Sequence, residues 1–237
     1  MISTFKRYEK KYYLTKEQKN KLEKILNEHM ELDKFCKNNN GYLIRNIYYD
    51  TDINDLAHLS TEKPIFKEKV RVRKYGKYND NKDEYFLEIK RKYNGIVYKR
   101  RVGLNKKELD NFFNYHEIPN NKNYLEKQVL NELIYLMKCY KIKAKSFISY
   151  QRIAYFDKTN PEFRLTFDSD IISRRNDLDF DNSNYELKLL DDNHFLMEVK
   201  VSDSMPLWFT KALSNLKIYP KSFSKYGEDY KILKEMN

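Results

Sequence analysis

Lys69-Val70-Arg71-Val72-Arg73-Lys74-Tyr75-Gly76 alternates charged and branched apolar side chains, and a period of two is the signature of a β-strand. Lys69, Arg71 and Arg73 share one face, while Val70 and Val72 point the other way. The same reading extends to other segments. Arg7, Glu9 and Lys11 lie together near the start. Glu88 and Lys90 oppose Leu87 and Ile89. Arg164, Thr166 and Asp168 oppose Phe163, Leu165 and Phe167, and Glu198 and Lys200 oppose Met197, Val199 and Val201.

An ordinary antiparallel sheet also puts apolar residues toward a core and charges toward water. For any one strand that explanation suffices. Over five strands, however, the charged faces concentrate Arg, Lys and Glu in place of the Thr, Ser and Gln that water-facing strands mix in. Arg is the residue of planar, bidentate phosphate recognition. A cavity lined with such charges is costly unless a counter-ligand enters it. A phosphate chain for the bases and a divalent metal for the carboxylates form a self-consistent set.

Outward from these strands, Thr15 with Gln18 predicts a capped helix carrying Leu22, Ile25 and Leu26. A strand is expected over Tyr42–Asp50 and a short helix over Asn54–Thr61. Strands follow at Ile65–Tyr75, Glu84–Tyr93 and Ile96–Leu104, the last two joined by the hairpin dipeptide Asn94-Gly95. Helical patterns cover Lys106–Tyr115 and Tyr124–Cys139. Further strands are expected at Ser146–Phe156, Phe163–Ile172, Phe195–Val201 and, more weakly, Tyr185–Leu190. Pro206 opens a final helix, and the chain closes on Ser222–Tyr226. The expected class is α+β: one domain over residues 1–237, an eight-stranded antiparallel β-barrel with helices packed outside.

The net charge of +11, from 46 Lys and Arg against 35 Asp and Glu, implies a polyanionic partner or surface. The 41% hydrophobic fraction is enough for a folded core and argues against disorder. Cys36 and Cys139 lack zinc-site spacing and fit a reducing cytoplasm. No apolar run approaches the roughly 20 residues of a membrane span. Cytoplasmic location is expected, with any membrane contact made through a partner protein. No Walker-type glycine loop is present, so phosphates would be held by side chains. The four His fall in helical or loop-like places and receive no catalytic role.

At these same residues the sequence resembles the catalytic domain of the vacuolar transporter chaperone (VTC) polyphosphate polymerases, within the triphosphate tunnel metalloenzyme superfamily. The matching stretches are Arg7–Tyr12, Lys69–Gly76, Phe86–Lys90, Tyr98–Arg101, Tyr150–Tyr155, Arg164–Asp168, Met197–Lys200 and Ser222–Tyr226, in family order. The resemblance implies a tunnel that binds the triphosphate of ATP with Mn²⁺ or Mg²⁺, moves its terminal phosphate onto polyphosphate and releases ADP. It implies Lys11, Arg71, Arg73, Lys90, Lys99, Arg152 and Arg164 as the phosphate grip. Lys200, Lys225 and Arg101 would contact substrate or product, and Glu198, Glu9 and Glu88 would serve the metal. Arg7 stands where the wider superfamily often has the first of two glutamates, which favours the polymerase branch over cyclases and thiamine triphosphatases. The sensing and membrane-spanning domains of the eukaryotic assemblies have no counterpart in this sequence.

Phosphoryl transfer needs alignment and charge neutralisation more than covalent help, which suits such a lining. Two other readings use the same residues. One is a tunnel hydrolase with water as acceptor. The other is a non-catalytic module for polyphosphate or nucleic acid, with Tyr48-Tyr49 and Tyr75–Tyr78 as stacking platforms. Nucleic acid is the less favoured partner, because interleaved aromatics more often belong to a core or barrel wall. Asp50 and Asp52, in Asp-Thr-Asp after a strand, are read as turn chemistry and not as a metal site.

Overall fold

A computed structural model describes residues 8–36, 41–62, 64–78, 82–94 and 96–236. Arg7 and Gly95 lie outside the described residues. Ten strands form one antiparallel sheet: β1 (Tyr8–Thr15), β2 (Met30–Leu32), β3 (Tyr42–Asp50), β4 (Phe66–Tyr75), β5 (Tyr85–Tyr93), β6 (Ile96–Leu104), β7 (Lys143–Asp157), β8 (Arg164–Arg174), β9 (Leu187–Lys188) and β10 (His194–Val201). The helices are α1 (Lys16–His29), α2 (Asp55–Thr61), α3 (Lys106–Tyr115), α4 (Tyr124–Tyr140), α5 (Leu207–Asn215) and α6 (Lys225–Met236). The strand order is β1-β10-β8-β7-β3-β4-β5-β6, with β2 beside β7 and β9 beside β8.

The expected closed, eight-stranded barrel is corrected here. Among the described residues β1 and β6 do not pair, and they are the two ends of an open sheet. The sheet is nevertheless strongly curled. Lys90 on β5 donates to Glu9 on β1 at 3.3 Å, although five strands separate β1 from β5 in the sheet order. Side chains on one face of a flat sheet could not meet across that distance, since neighbouring strands lie about 4.8 Å apart. At the outer edge of β1 the chain after α5 takes the place of a closing strand. Lys221 N–H donates to the Lys11 carbonyl at 2.8 Å, and Tyr12 forms a single bridge with Pro220. Pro220 has no N–H to extend that ladder, so closure ends after one bridge.

The apolar faces lie outside, under helices. Val70, Val72, Leu87, Ile89, Val102 and Leu104 pack beneath α3 and α4 through Leu109, Phe112, Val129, Leu130 and Leu133. Leu165, Phe167, Met197 and Val199 pack beneath α1 and α5 through Leu22, Leu26, Phe209 and Leu213. Each of α1, α3 and α4 starts with a reciprocal cap: Thr15 with Gln18, Asn105 with Glu108, and Asn123 with Glu126. These caps set the helix starts that the sequence predicted.

The expectation of helices only on the outside is corrected for α6. Its first turn enters the concave face: Tyr226 stacks on Tyr48 of β3 at 4.6 Å with rings 7° apart, and both are buried. Asp50, fully buried at the end of β3, accepts hydrogen bonds from the N–H groups of Thr51, Leu56 and Ala57 and from the Tyr226 hydroxyl. One carboxylate thus starts α2 and anchors α6, the turn role read from Asp-Thr-Asp.

Candidate functional site

The curl turns the charged faces of the strands inward, where they form two ionic groups. The first is centred on Glu88, 1% exposed on β5. Antiparallel register sets Arg71 of β4 on one side of it and Arg101 of β6 on the other. Arg71 Nε and Arg101 Nε donate to its two oxygens at 2.8 and 2.7 Å, and Lys99 Nζ lies 2.8 Å away. Arg73 adds a fourth cation at 4.0 Å and donates to Asn46 at 3.0 Å. Tyrosine hydroxyls hold the guanidiniums in place, Tyr48 on Arg71 and Tyr75 on both Arg73 and Arg101.

Burial alone would raise the Glu88 carboxyl, but Arg73, Arg71, Lys99 and Arg101 outweigh it and hold it well below the usual range. Lys99 responds in the opposite sense. Burial and the neighbouring Arg73, Arg71 and Arg101 bring its ammonium down to about 7, against the pull of Glu88. Four cations share one carboxylate, so the group keeps a surplus of positive charge.

The second group joins β1, β7, β8, β10 and α6. Arg152 makes a bidentate pair with fully buried Asp168, at 2.6 and 2.7 Å, and reaches Glu198 at 3.1 Å. Lys225, the first residue of α6, contacts Asp168 at 2.5 Å and Glu198 at 3.2 Å. Lys11 Nζ lies 3.2 Å from Glu198 and 3.5 Å from Glu9, and donates to the Phe223 carbonyl. Burial would raise Glu198, yet Lys11, Lys225 and Arg152 hold it well below its ordinary value. Burial would lower Lys11, yet Glu198 and Glu9 raise it. Lys200, beside Glu9 in register, is lowered by burial despite Glu9 and Glu198.

The structure therefore brings together Lys11, Arg71, Arg73, Lys90, Lys99, Arg101, Arg152 and Lys225 with Glu9, Glu88 and Glu198. Lys200 lies on the same face. Arg164 stands apart from both groups: its guanidinium lies over Phe156 at 4.9 Å and donates to the Pro161 carbonyl. Three participants escaped the sequence-based set of site residues. Asp168 shares a face with Arg164 and Thr166 in the alternation, but a buried carboxylate among phosphate ligands is not an obvious choice. Lys69 was visible in the same way, opposite Lys90 in the register. Ser224 carried no signal of its own.

Among the described residues no three His, Cys, Asp or Glu side chains gather as a metal site. Mg²⁺ is commonly held by one or two carboxylates plus substrate phosphates. Glu198 and Glu9 supply that smaller number of carboxylates around Lys11, and a metal there would displace the Lys11, Lys225, Arg152 and Lys90 contacts they now make. Glu88 is less suited, since its side chain is 1% exposed against 10% and 20% for Glu198 and Glu9, and four cations share it.

The fold is a strongly curled antiparallel sheet with a basic concave face. The sequence profile described as the VTC domain matches residues 6–234, and the chain belongs to the VTC domain family. Among solved structures it is similar to a candidate adenylate cyclase from Bacillus halodurans, with 15% identity and a TM-score of 0.55. That alignment covers 92% of this chain and 95% of the other, and it shows a shared fold. A candidate adenylate cyclase from Vibrio parahaemolyticus aligns at 10% identity and a TM-score of 0.48, over 94% and 96% of the two chains. No curated protein sequence matches. No helix among the described residues is long and apolar enough to cross a membrane.

Proposed function

We propose that this domain is a metal-dependent polyphosphate polymerase, transferring the terminal phosphate of ATP to a polyphosphate chain and releasing ADP. The observation that carries the reading is the cationic surplus on the concave face. Arg71, Arg73, Lys99 and Arg101 share one carboxylate, Glu88. An entering chain of phosphates supplies the missing negative charge. Membership of the VTC domain family supports the same assignment.

In this reading Arg71, Arg73, Arg101 and Lys99 grip one stretch of phosphates, and Lys11, Arg152, Lys200 and Lys225 another. Lys90, which reaches Glu9, stands between them. Arg164, turned to Phe156 and the Pro161 carbonyl, has no place in either grip. Glu198 and Glu9 would hold Mn²⁺ or Mg²⁺, which when bound neutralises charge on the phosphoryl oxygens. A chain-end phosphate is already ionised, so it needs no general base.

The test is incubation with ATP and Mn²⁺, with and without a short polyphosphate primer, scored for ADP, free phosphate and long-chain product. Polymer with ADP is expected, and Glu198→Gln is expected to abolish the metal-dependent part. Free phosphate without polymer would make the protein a hydrolase. ATP left intact would remove the enzymatic reading altogether.

A further inference from the structure

Lys69 and Ser224 form a pair that the transfer from ATP to polyphosphate leaves unused. Lys69 Nζ, on the concave face of β4, lies 2.8 Å from Ser224 Oγ. No carboxylate among the described residues pairs with Lys69. Burial, followed by Lys11, Lys90, Lys67 and Arg71, pushes its ammonium well below the ordinary lysine value. A lysine whose ammonium is lowered in this way gives up its proton more readily, and its free amine can take one from a hydroxyl beside it.

The flanking residues fix Ser224 within the charged lining. The Phe223 carbonyl accepts from Lys11, and Lys225 is tied to Asp168 and Glu198. Ser224 is half-buried, and its hydroxyl is turned to Lys69 on the concave face. Its oxygen also accepts from Gly227 N–H at the start of α6, the ordinary duty of a serine preceding a helix. That duty accounts for the bond to Gly227 but not for a lysine extended from another wall. A hydroxyl has one hydrogen to give and two lone pairs, so both bonds can be made at once.

We propose that Ser224 is a phosphoryl acceptor, taking the terminal phosphoryl group of a nucleoside triphosphate bound in the cavity while Lys69 takes the hydroxyl proton. The bond from Oγ to the γ-phosphorus forms, and the bond from that phosphorus to the β,γ-bridging oxygen breaks. The nucleoside diphosphate leaves with the electron pair, and the proton passes from Oγ to Nζ. The product is a phosphoserine among Lys11, Lys69 and Lys90. Its ionised oxygens have the chemistry of a polyphosphate chain end, so later transfers would lengthen a chain anchored to the protein. The inference rests on the triphosphate-binding reading of the cavity.

The test uses the full chain with ATP and Mn²⁺, followed by intact-mass and tandem mass spectrometry, beside calorimetry with tripolyphosphate. Wild type is expected to gain one or more phosphoryl groups at Ser224. Ser224→Asn keeps a helix-capping side chain but no hydroxyl, and should gain none there. Lys69→Met should slow modification by about a hundredfold, the scale of a lost general base. Wild type that binds tripolyphosphate and consumes ATP with Ser224 unmodified would overturn the inference and leave the cavity reading intact. An unchanged modification rate in Lys69→Met would remove the base. Wild type that neither binds tripolyphosphate nor consumes ATP would defeat both.

Discussion

Replacing Glu88 by Gln isolates the part played by a single counter-ion. Glutamine fills the same space but carries no charge, and its amide hydrogens face cations. Glu88 is 1% exposed, and the side chains of Arg71 and Arg73 are 17% and 7% exposed, so this part of the group is shielded from water. Arg101 and Lys99, at 34% and 40%, reach solvent and are screened, and they add little to the cost. Breaking a buried ion pair by removing one partner costs about 3–5 kcal/mol, and the lower end applies to a group half open to solvent. A loss of about 3 kcal/mol corresponds to a fall in melting temperature of about 6–12 °C for a protein of this size. Tripolyphosphate in excess should narrow that gap, because its charge replaces the one removed.

The pH dependence has a definite sign. Glu88 titrates well below its ordinary value of 4.5 when folded, so its stabilisation is fully present above that pH. It is lost as the pH falls toward the folded value, and the two melting curves should converge in acid. Thermal melts from neutral pH downward, with and without tripolyphosphate, test all of this. A Glu88→Gln variant melting at the wild-type temperature near neutrality, or a gap that tripolyphosphate leaves unchanged, would refute the counter-ion role.

Arg152→Lys replaces a bidentate contact with Asp168 by a point charge and should lose about 1.5–3 kcal/mol of interaction, read as a fall of about 3–12 °C in melting temperature. Because Lys99 titrates at about 7, tripolyphosphate affinity should decline as pH rises through that value, and calorimetry on Lys99→Met should show a flatter profile. Binding should also draw protons from the buffer at slightly alkaline pH, since a bound anion favours the charged lysine. Tyr226→Phe removes one of the donors to Asp50 and should cost about 1–3 kcal/mol in urea unfolding. An unchanged unfolding midpoint would show that α6 is held by other contacts.

The strands and most helices were legible because one face of each had to be apolar. Val70 and Val72 against Lys69, Arg71 and Arg73 reveal both the strand and its orientation, and Thr15 with Gln18 marks the start of α1. Helix α6 was not legible beyond Tyr226, because it buries Lys225, Gly227 and Asp229 along with Tyr226. A helix whose first turn enters a charged cavity has no clean apolar stripe to read. The three-residue strand β2 is too short to establish a period. Closure of the sheet was not legible either, since alternation tells which face a residue occupies but not whether the end strands pair. At the site, residue types and faces were visible, whereas the pairing of Arg152 with Asp168 depends on adjacency of β7 and β8.

The stretch around Pro220 gives the cavity an uneven wall. Between neighbours in the sheet order, parting two strands breaks a ladder of backbone hydrogen bonds. Beside β1, the backbone contacts among the described residues are the Lys221 amide and one bridge, and side chains such as Lys11 on the Phe223 carbonyl supply the rest. Opening there breaks fewer backbone hydrogen bonds than parting two neighbouring strands of the sheet order. A long polymer could then pass in or out sideways, without being threaded from one end like a cord through a bead.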